Sequence, residues 1–169
     1  MSWQVIIING IILSVIFCVV VALLWLKMPN AVSGMLPAEI RRAAPKRTKR
    51  EVAILYTILF SLYTLMLAYI IFSARVAGMA GFWNLFWAGY IMTFMVNMAD
   101  FWVLDLWFRG RFKSRLMIKG TERCKAWRTK EWLRTLAIPE HWIIWPLVVC
   151  PMVGLIAAKM SELLLGGIG

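Results

Sequence analysis

The chain has little charge, few acidic residues and few cysteines. Only 16% of its 169 residues are charged and 62% are hydrophobic, whereas a soluble domain is typically about 25% charged and roughly 45–50% apolar. This composition excludes a disordered chain and an ordinary cytosolic enzyme. The three cysteines contain no Cys-x-x-Cys pair, which excludes a disulfide-stapled secreted domain and provides no zinc or redox motif. The length allows one compact unit rather than a string of domains.

What the chain has instead is four long apolar stretches. A bilayer core ~30 Å thick requires about 20 helical residues, and no stretch shows the polar–apolar alternation of a barrel strand. Helices satisfy their own backbone hydrogen bonds in lipid, so we predict an all-α polytopic membrane protein, a single domain over residues 1–169 with four transmembrane helices in a bundle. The predicted spans are 4–26, 52–73, 82–108 and 142–165. The first stretch lacks the positively charged start of a signal peptide and is expected to be a retained anchor.

The basic residues are concentrated in two of the three connections. Seven of the 19 Lys and Arg lie in the loop 27–51, and ten lie in the loop 109–141. Because basic loops stay in the cytoplasm, we predict that both loops are cytoplasmic and that both termini lie outside the plasma (inner) membrane. The loops are expected to attract anionic lipid headgroups. Topology and lipid attraction account for the net charge of +11, so no nucleic-acid partner is expected.

Tryptophan is abundant, with ten residues, and six of them lie near predicted span ends, where aromatic belts form. These six are Trp3, Trp25, Trp83, Trp107, Trp142 and Trp145. In the first loop, Pro37 predicts the start of a short helix. In the second basic loop, Trp132 and Leu136 lie four residues apart among basic residues. This spacing indicates either a basic helix in the headgroup plane or a solvated loop with a tryptophan anchor.

The third predicted span contains an intramembrane carboxylate. Asp100 lies about 12 Å inside the predicted inner end of the span, where an ionisable group is costly and needs polar surroundings. Thr93 and Asn97 precede it at helical spacing, and Tyr90 extends the same stripe by one turn. Because these residues share one helix face, we expect the stripe to face other helices or water rather than lipid.

Asp105 lies nearer the end of the same span. Arg109 follows it at i+4, a spacing that favours a local ion pair. On an ideal α-helix Asp105 and Asp100 point roughly 140° apart. This angle argues against a metal site built on the two carboxylates.

The only histidine, His141, lies at the predicted start of the fourth span. Pro139 and Glu140 precede it, and both residue types favour a helix N-terminus. The predicted topology places His141 on the same side of the membrane as Asp105. An Asp–His or Asp–His–Glu cluster there could bind a divalent metal, relay protons or hold a ligand. The alternative is an interfacial histidine that is hydrogen-bonded to the loop or to lipid.

Four features in this part of the chain resemble a family of bacterial four-helix integral membrane proteins with no established activity. They are Asp100, Asp105, the stretch Ile118–Glu122 and His141. Family members carry proline before the Gly-Thr-Glu of that stretch, where this chain has Lys119. The resemblance implies a four-span fold and a shared polar site at the acidic residues and the histidine. With the polar stripe added, the candidate binding site consists of Asn97, Asp100, Asp105, Glu122 and His141.

Three functions remain open from the sequence. The chain could bind or conduct an ion or small solute, could serve as an accessory or scaffold subunit, or could act enzymatically on lipid headgroups with His141, Asp105 and Glu122. The sequence has no Gly-rich phosphate loop and no His-Glu-x-x-His motif, which argues against the enzyme. No particular metal or cofactor is indicated. Four helices enclose little room, so conduction would require a homo-oligomer or a partner membrane protein.

Overall fold

The computed structural model describes residues 2–166, and within that range the chain is helical with no strand. Four helices are long and apolar enough to cross a membrane, which confirms the predicted all-α fold. We label the helices α1 (Trp3–Lys27), α2 (Pro29–Val32), α3 (Ala38–Ala43), α4 (Lys49–Val76), α5 (Phe82–Leu116) and α6 (Thr129–Leu163). The short helix α3 begins one residue after Pro37, as expected.

The two helices that carry the polar residues are longer than predicted. Helices α5 and α6 each contain 35 residues, a length on the order of 50 Å, whereas the bilayer core is ~30 Å thick. Helix α5 therefore continues past residue 108, and α6 begins before residue 142. The surplus turns project into the folded connections at one end of the bundle.

Both long helices contain wide, π-helical turns. These turns cover Asp100–Phe108 in α5 and Leu133–Ala137 and Pro139–Val149 in α6. In such a turn the hydrogen bond runs from residue i to i+5 rather than i+4, and wide turns are often found at functional sites. Pro146, which cannot donate a backbone hydrogen bond, lies inside the second wide segment of α6.

Glycines bring α5 and α6 into backbone contact. A Cβ placed on Gly154 would lie 2.7 Å from the carbonyl oxygen of Phe86, and one placed on Gly89 would lie 3.1 Å from the Cα of Gly154. Small residues at such contacts allow close helix packing in membranes. This seam holds the two polar segments at a fixed distance from each other.

The two basic loops fold together into one structure, the cap, which we define as residues 28–48 and 117–128. Its interior contains Ile40 and Ile118, both buried. Glu39 joins the two loops because its carboxylate accepts hydrogen bonds from the backbone N–H groups of Lys125 (3.0 Å) and Ala126 (2.8 Å). These bonds lower the pKa of Glu39 below its ordinary value of 4.5.

Several tryptophans lie in the interior rather than at the predicted interfaces. The ring of Trp132 stacks on Trp25 at 5.6 Å and on Trp127 at 5.8 Å between centroids, and all three are buried. Trp145 is also buried, so the belt assignment is wrong for Trp25 and Trp145. The other four belt candidates, Trp3, Trp83, Trp107 and Trp142, are exposed.

The tryptophan stack also excludes both interpretations of residues 132–136. Trp132 lies in the first turn of α6, which continues into the bundle instead of lying in the headgroup plane. Its ring anchors the cap to α1 and not to lipid. The basic character of this segment is carried by exposed neighbours such as Arg128 and Lys130.

Candidate functional site

A buried chain of three polar residues joins α5 to α6. The Nδ1 atom of His141 lies 2.7 Å from Oδ1 of Asn97, and its Nε2 atom lies 3.1 Å from Oδ2 of Asp105. The amide of Asn97 in turn donates to the backbone carbonyl of His141 at 2.8 Å. Asn97, His141 and Asp105 are 0%, 1% and 6% exposed. Three residues predicted from the sequence are thus brought together.

The hydrogen-bond directions determine where protons lie in this chain. Because the amide nitrogen of Asn97 donates to a carbonyl, its Oδ1 atom is the one that faces His141, and it can only accept. The Nδ1 atom of His141 must therefore carry a hydrogen. The Nε2 atom of His141 faces Oδ2 of Asp105, and a ring that is protonated on both nitrogens donates one hydrogen to Asn97 and the other to Asp105.

Arg109 does not form the predicted ion pair with Asp105. Its Nε donates to the backbone carbonyl of Asp105 at 2.9 Å, and its guanidinium donates to the carbonyl of Trp127 and to the hydroxyl of Thr129, both at 3.3 Å. The guanidinium also lies 4.9 Å from the ring centroid of Trp132. Arg109 is 1% exposed and ties the end of the wide turn to the cap, which leaves the carboxylate of Asp105 to His141.

Asp100 and Asp105 both lie in the wide turn of α5. The angle of roughly 140° expected for the two side chains assumes regular α-helical winding, and hydrogen bonds in a wide turn run from i to i+5 instead. The half-buried carboxylate of Asp100 lies within electrostatic range of Asp105 and His141.

Glu140 is a member of the site that the sequence analysis missed. It shares with Asp100 the wall of a cavity of about 70 Å³ between α1, α4, α5 and α6, a volume that can hold more than one water molecule. The sequence analysis assigned Glu140 to the N-terminus of the fourth span, but α6 begins eleven residues earlier, at Thr129. Its position next to the only histidine was the signal that could have identified it.

Glu122 lies apart from this cluster. Its carboxylate is exposed and accepts a hydrogen bond from the backbone N–H of Gly120 at 2.9 Å. Its own backbone N–H and that of Gly120 lower the pKa of Glu122 below its ordinary value of 4.5. It makes no hydrogen bond or ion pair with His141 or Asp105. Glu122 therefore serves a local turn of the cap.

Tyr90 and Thr93, the first two residues of the predicted polar stripe, contact other parts of the bundle than Asn97 and Asp100 do. The hydroxyl of Tyr90 donates to the carbonyl of Pro146 at 3.2 Å, which is a further hydrogen bond between α5 and α6. Thr93 is buried and faces a hollow beside α4. Among the described residues, no group of three or more His, Cys, Asp or Glu side chains is arranged to hold a metal ion.

Comparison with known proteins finds no matching family model, no matching curated protein and no matching solved structure. The family resemblance noted from the sequence stays a prediction. The functional argument therefore depends on the geometry of the cluster formed by Asp100, Asp105, Glu140 and His141.

Proposed function

We propose that the protein is an integral membrane protein that binds a cation, either a proton or a small cationic solute, between α5 and α6. The observation that carries this proposal is that Asp100 and Glu140 line one cavity and that Glu140 directly precedes His141, which is paired with Asp105. Within the described residues, no Lys or Arg forms an ion pair with either carboxylate. Carboxylates in a membrane interior are costly without a partner, and a bound cation would supply one.

The geometry favours binding over conduction by a single chain. The cavity of about 70 Å³ is lined mainly by apolar side chains of α1 and α4, and Asp100 and Glu140 are the charged residues in its lining. Transport would require movement of the helices, a second copy of this chain or a partner membrane protein. The His141–Asp105 hydrogen bond provides one step at which a proton could enter or leave the cluster.

The enzyme hypothesis is weakened because one of its three residues lies away from the other two. It combined His141 and Asp105 with Glu122 at the lipid headgroups, and Glu122 does not reach them. The accessory or scaffold hypothesis is not favoured by a specific contact. The exposed basic surface of the cap supports only a weaker statement, that the cap attracts anionic headgroups of the membrane.

The proposed orientation places the cap in the cytoplasm and both termini outside the plasma membrane. It is supported by the 17 of 19 Lys and Arg that lie in the two basic loops, since such loops stay inside. Alkaline phosphatase, which is active only outside the cytoplasm, should therefore be active when fused at either end of the chain. Activity of green fluorescent protein at both ends would overturn this orientation.

The cation site is tested by the thermal stability of the purified protein in detergent. A ligand that binds only the folded state stabilises it, by about 2.7 kcal/mol at 100 times its Kd. We expect the unfolding midpoint to differ among Li⁺, Na⁺, K⁺ and NH₄⁺ chlorides at constant ionic strength, or to shift with pH if the ligand is a proton. Asp100→Asn and Glu140→Gln should each remove this response.

The matched control is Glu162→Gln, because Glu162 lies on α6 but is exposed and paired with Lys159. This variant should respond to the salts as the wild type does. A wild-type midpoint that is the same in every salt and at every pH, or an unchanged response in Asp100→Asn and Glu140→Gln, would contradict the proposal.

A further inference from the structure

Three neighbouring hollows share the same two aromatic side chains, Tyr63 of α4 and Trp145 of α6. The first is the enclosed cavity that contains Asp100 and Glu140. The second, of about 400 Å³, is also lined by Glu140. The third, of about 230 Å³, lies between α4, α5 and α6 and contains Thr93. We call the three together the α4–α6 groove.

The groove opens on the apolar side of the bundle. Ile144 lines the second hollow and Phe60 lines the third, and both side chains are exposed. Because Glu140 lines the enclosed cavity as well as the second hollow, the acidic cluster lies next to a surface that the fold exposes to lipid. A ligand would therefore reach the carboxylates laterally from the membrane.

A buried hydroxyl in the third hollow lacks a partner. Thr93 is 4% exposed, and within the described part of the chain its Oγ1 makes no hydrogen bond. A buried polar group without a partner is costly because it has lost its hydrogen bonds to water. A polar atom of a ligand in this hollow would satisfy it, so the hydroxyl is an observation independent of the carboxylates that also points to a bound molecule.

The charge of the groove indicates which class of ligand it can bind. Among the described residues, its lining includes two carboxylates but no Lys or Arg. The rings of Tyr63 and Trp145 can attract a cation through their faces. A zwitterionic lipid headgroup would bring a phosphate for which the lining has no basic partner. A positively charged group on an apolar body matches both the carboxylates and the apolar lining of the groove.

We infer that the α4–α6 groove binds an amphiphilic organic monocation, whose apolar body enters from the lipid side and whose charge lies against Glu140 and Asp100. This inference names the solute class of the cation site and rests on the proposed function. It differs from that proposal in requiring the outer hollows, which a proton or a metal ion would not need.

The test uses the full-length protein in dodecyl maltoside, a non-ionic detergent, with tetraphenylphosphonium as the probe. Tetraphenylborate has the same shape and the opposite charge. Equilibrium dialysis should show saturable binding of the cation, at one per chain, and none of the anion. Glu140→Gln should weaken binding by about tenfold or more, since it removes one of two facing charges.

A second variant tests the apolar hollow and keeps the inference falsifiable if Glu140→Gln does not fold. Thr93→Phe fills the third hollow and should weaken binding of tetraphenylphosphonium by about tenfold. Its matched control is Ser61→Phe, which adds the same ring at an exposed position of α4 outside the groove and should bind as the wild type does.

The outcomes separate this inference from the proposed function. Absence of tetraphenylphosphonium binding, together with a salt or pH response that depends on Asp100, would overturn the inference and leave the cation site standing. Absence of both would overturn both. Equal binding of cation and anion, or displacement of the cation by stoichiometric phosphatidylethanolamine, would also overturn it, the latter in favour of a lipid headgroup.

Discussion

Each ring nitrogen of His141 faces a hydrogen-bond acceptor, which is unusual for a buried imidazole. Asn97 supplies an amide oxygen and Asp105 a carboxylate oxygen. A neutral imidazole has only one N–H, so donating to both acceptors at once requires the imidazolium form. The imidazolium would then form a buried ionic pair with the carboxylate of Asp105.

His141 can be observed alone because it is the only histidine of the chain. In protein labelled with ¹⁵N-histidine, we expect the Nδ1 resonance to be that of a protonated nitrogen at neutral pH, since Nδ1 faces an acceptor. Nitrogen NMR in detergent provides the measurement. A shift typical of an unprotonated Nδ1 would contradict the assigned hydrogen bond to Asn97.

The two aspartates should differ in their contribution to stability. Asp105→Asn removes the charge that faces His141, and breaking a buried ionic pair in this way is expected to lower the free energy of unfolding by about 3 kcal/mol. Asp100→Asn removes a carboxylate that has no hydrogen-bond or ion-pair partner among the described residues, and because such a charge is costly in a membrane interior, this variant should not lower the free energy of unfolding. Denaturant unfolding of both variants in detergent compares the two, and equal losses would argue against the assigned pairing.

His141, Asp105 and Asn97 could be predicted from the sequence, because ionisable and amide groups in an apolar stretch are costly unless they have polar partners. Sequence reasoning assumed 3.6 residues per turn around Asp100, because the wide turn of α5 is not visible in the residue pattern. It missed Glu140 because the true start of α6 lies in a basic segment of low hydropathy. Helix existence follows from local composition, whereas helix winding and partner choice depend on the packing between helices.

At the scale of helices, the seam between α5 and α6 decides whether the site can form. Gly154 lies so close to Phe86 that a side chain cannot fit without moving the backbone. A separation of the two helices would pull His141 away from both Asn97 and Asp105. The hydrogen-bonded chain of Asn97, His141 and Asp105 can therefore form only if the small residues of the seam pack closely.

Gly154→Ala should lower the free energy of unfolding by about 1–3 kcal/mol, since overpacking at a tight contact forces backbone shifts. Gly110→Ala is the control, because a Cβ at Gly110 meets no atom within 4 Å. Alanine is also the better helix former, by up to about 1 kcal/mol. The measurement is the unfolding midpoint of each variant, and an unchanged midpoint for Gly154→Ala would show that the seam is looser than described.

At the scale of the whole molecule, the cap joins connections that are far apart in sequence. Glu39 contacts residues 86 and 87 positions further along the chain, and the stack of Trp25, Trp127 and Trp132 links α1 to α6 below it. Sequence analysis treated the two basic loops as independent, because nothing in their composition indicates which loop residue meets which. Their charges predicted the orientation of the chain but not the contacts between the loops.

Docking of the two loops should depend on pH through Glu39. Its pKa is lower in the folded protein than the ordinary 4.5, so the ionised carboxylate stabilises the contact above pH 4.5, and this contribution is lost as the pH falls through the lower, folded-state pKa. Protection of the amides of Lys125 and Ala126 against hydrogen exchange, corrected for the intrinsic rate at each pH, measures it.

Glu39→Gln should reduce this protection at neutral pH and remove its dependence on pH. Glu122→Gln is the matched control, because Glu122 also has a lowered pKa but bonds only within its own turn. Protection at Lys125 and Ala126 should survive in the control. If both variants lose protection equally, Glu39 is not the contact that joins the loops.

The wide winding between Asp100 and Asp105 carries one more consequence, for insertions and deletions. A wide turn holds one residue more than an ordinary turn, so a shortened chain that lacks one of the exposed residues in between, Trp102 or Val103, can regain regular α-helical geometry. The two aspartates would then stand at i and i+4, which lie one above the other on an α-helix. Losing a residue here should therefore keep the two carboxylates close, whereas adding one to the regular stretch before Asp100 would rotate both together by about 100° relative to the seam with α6.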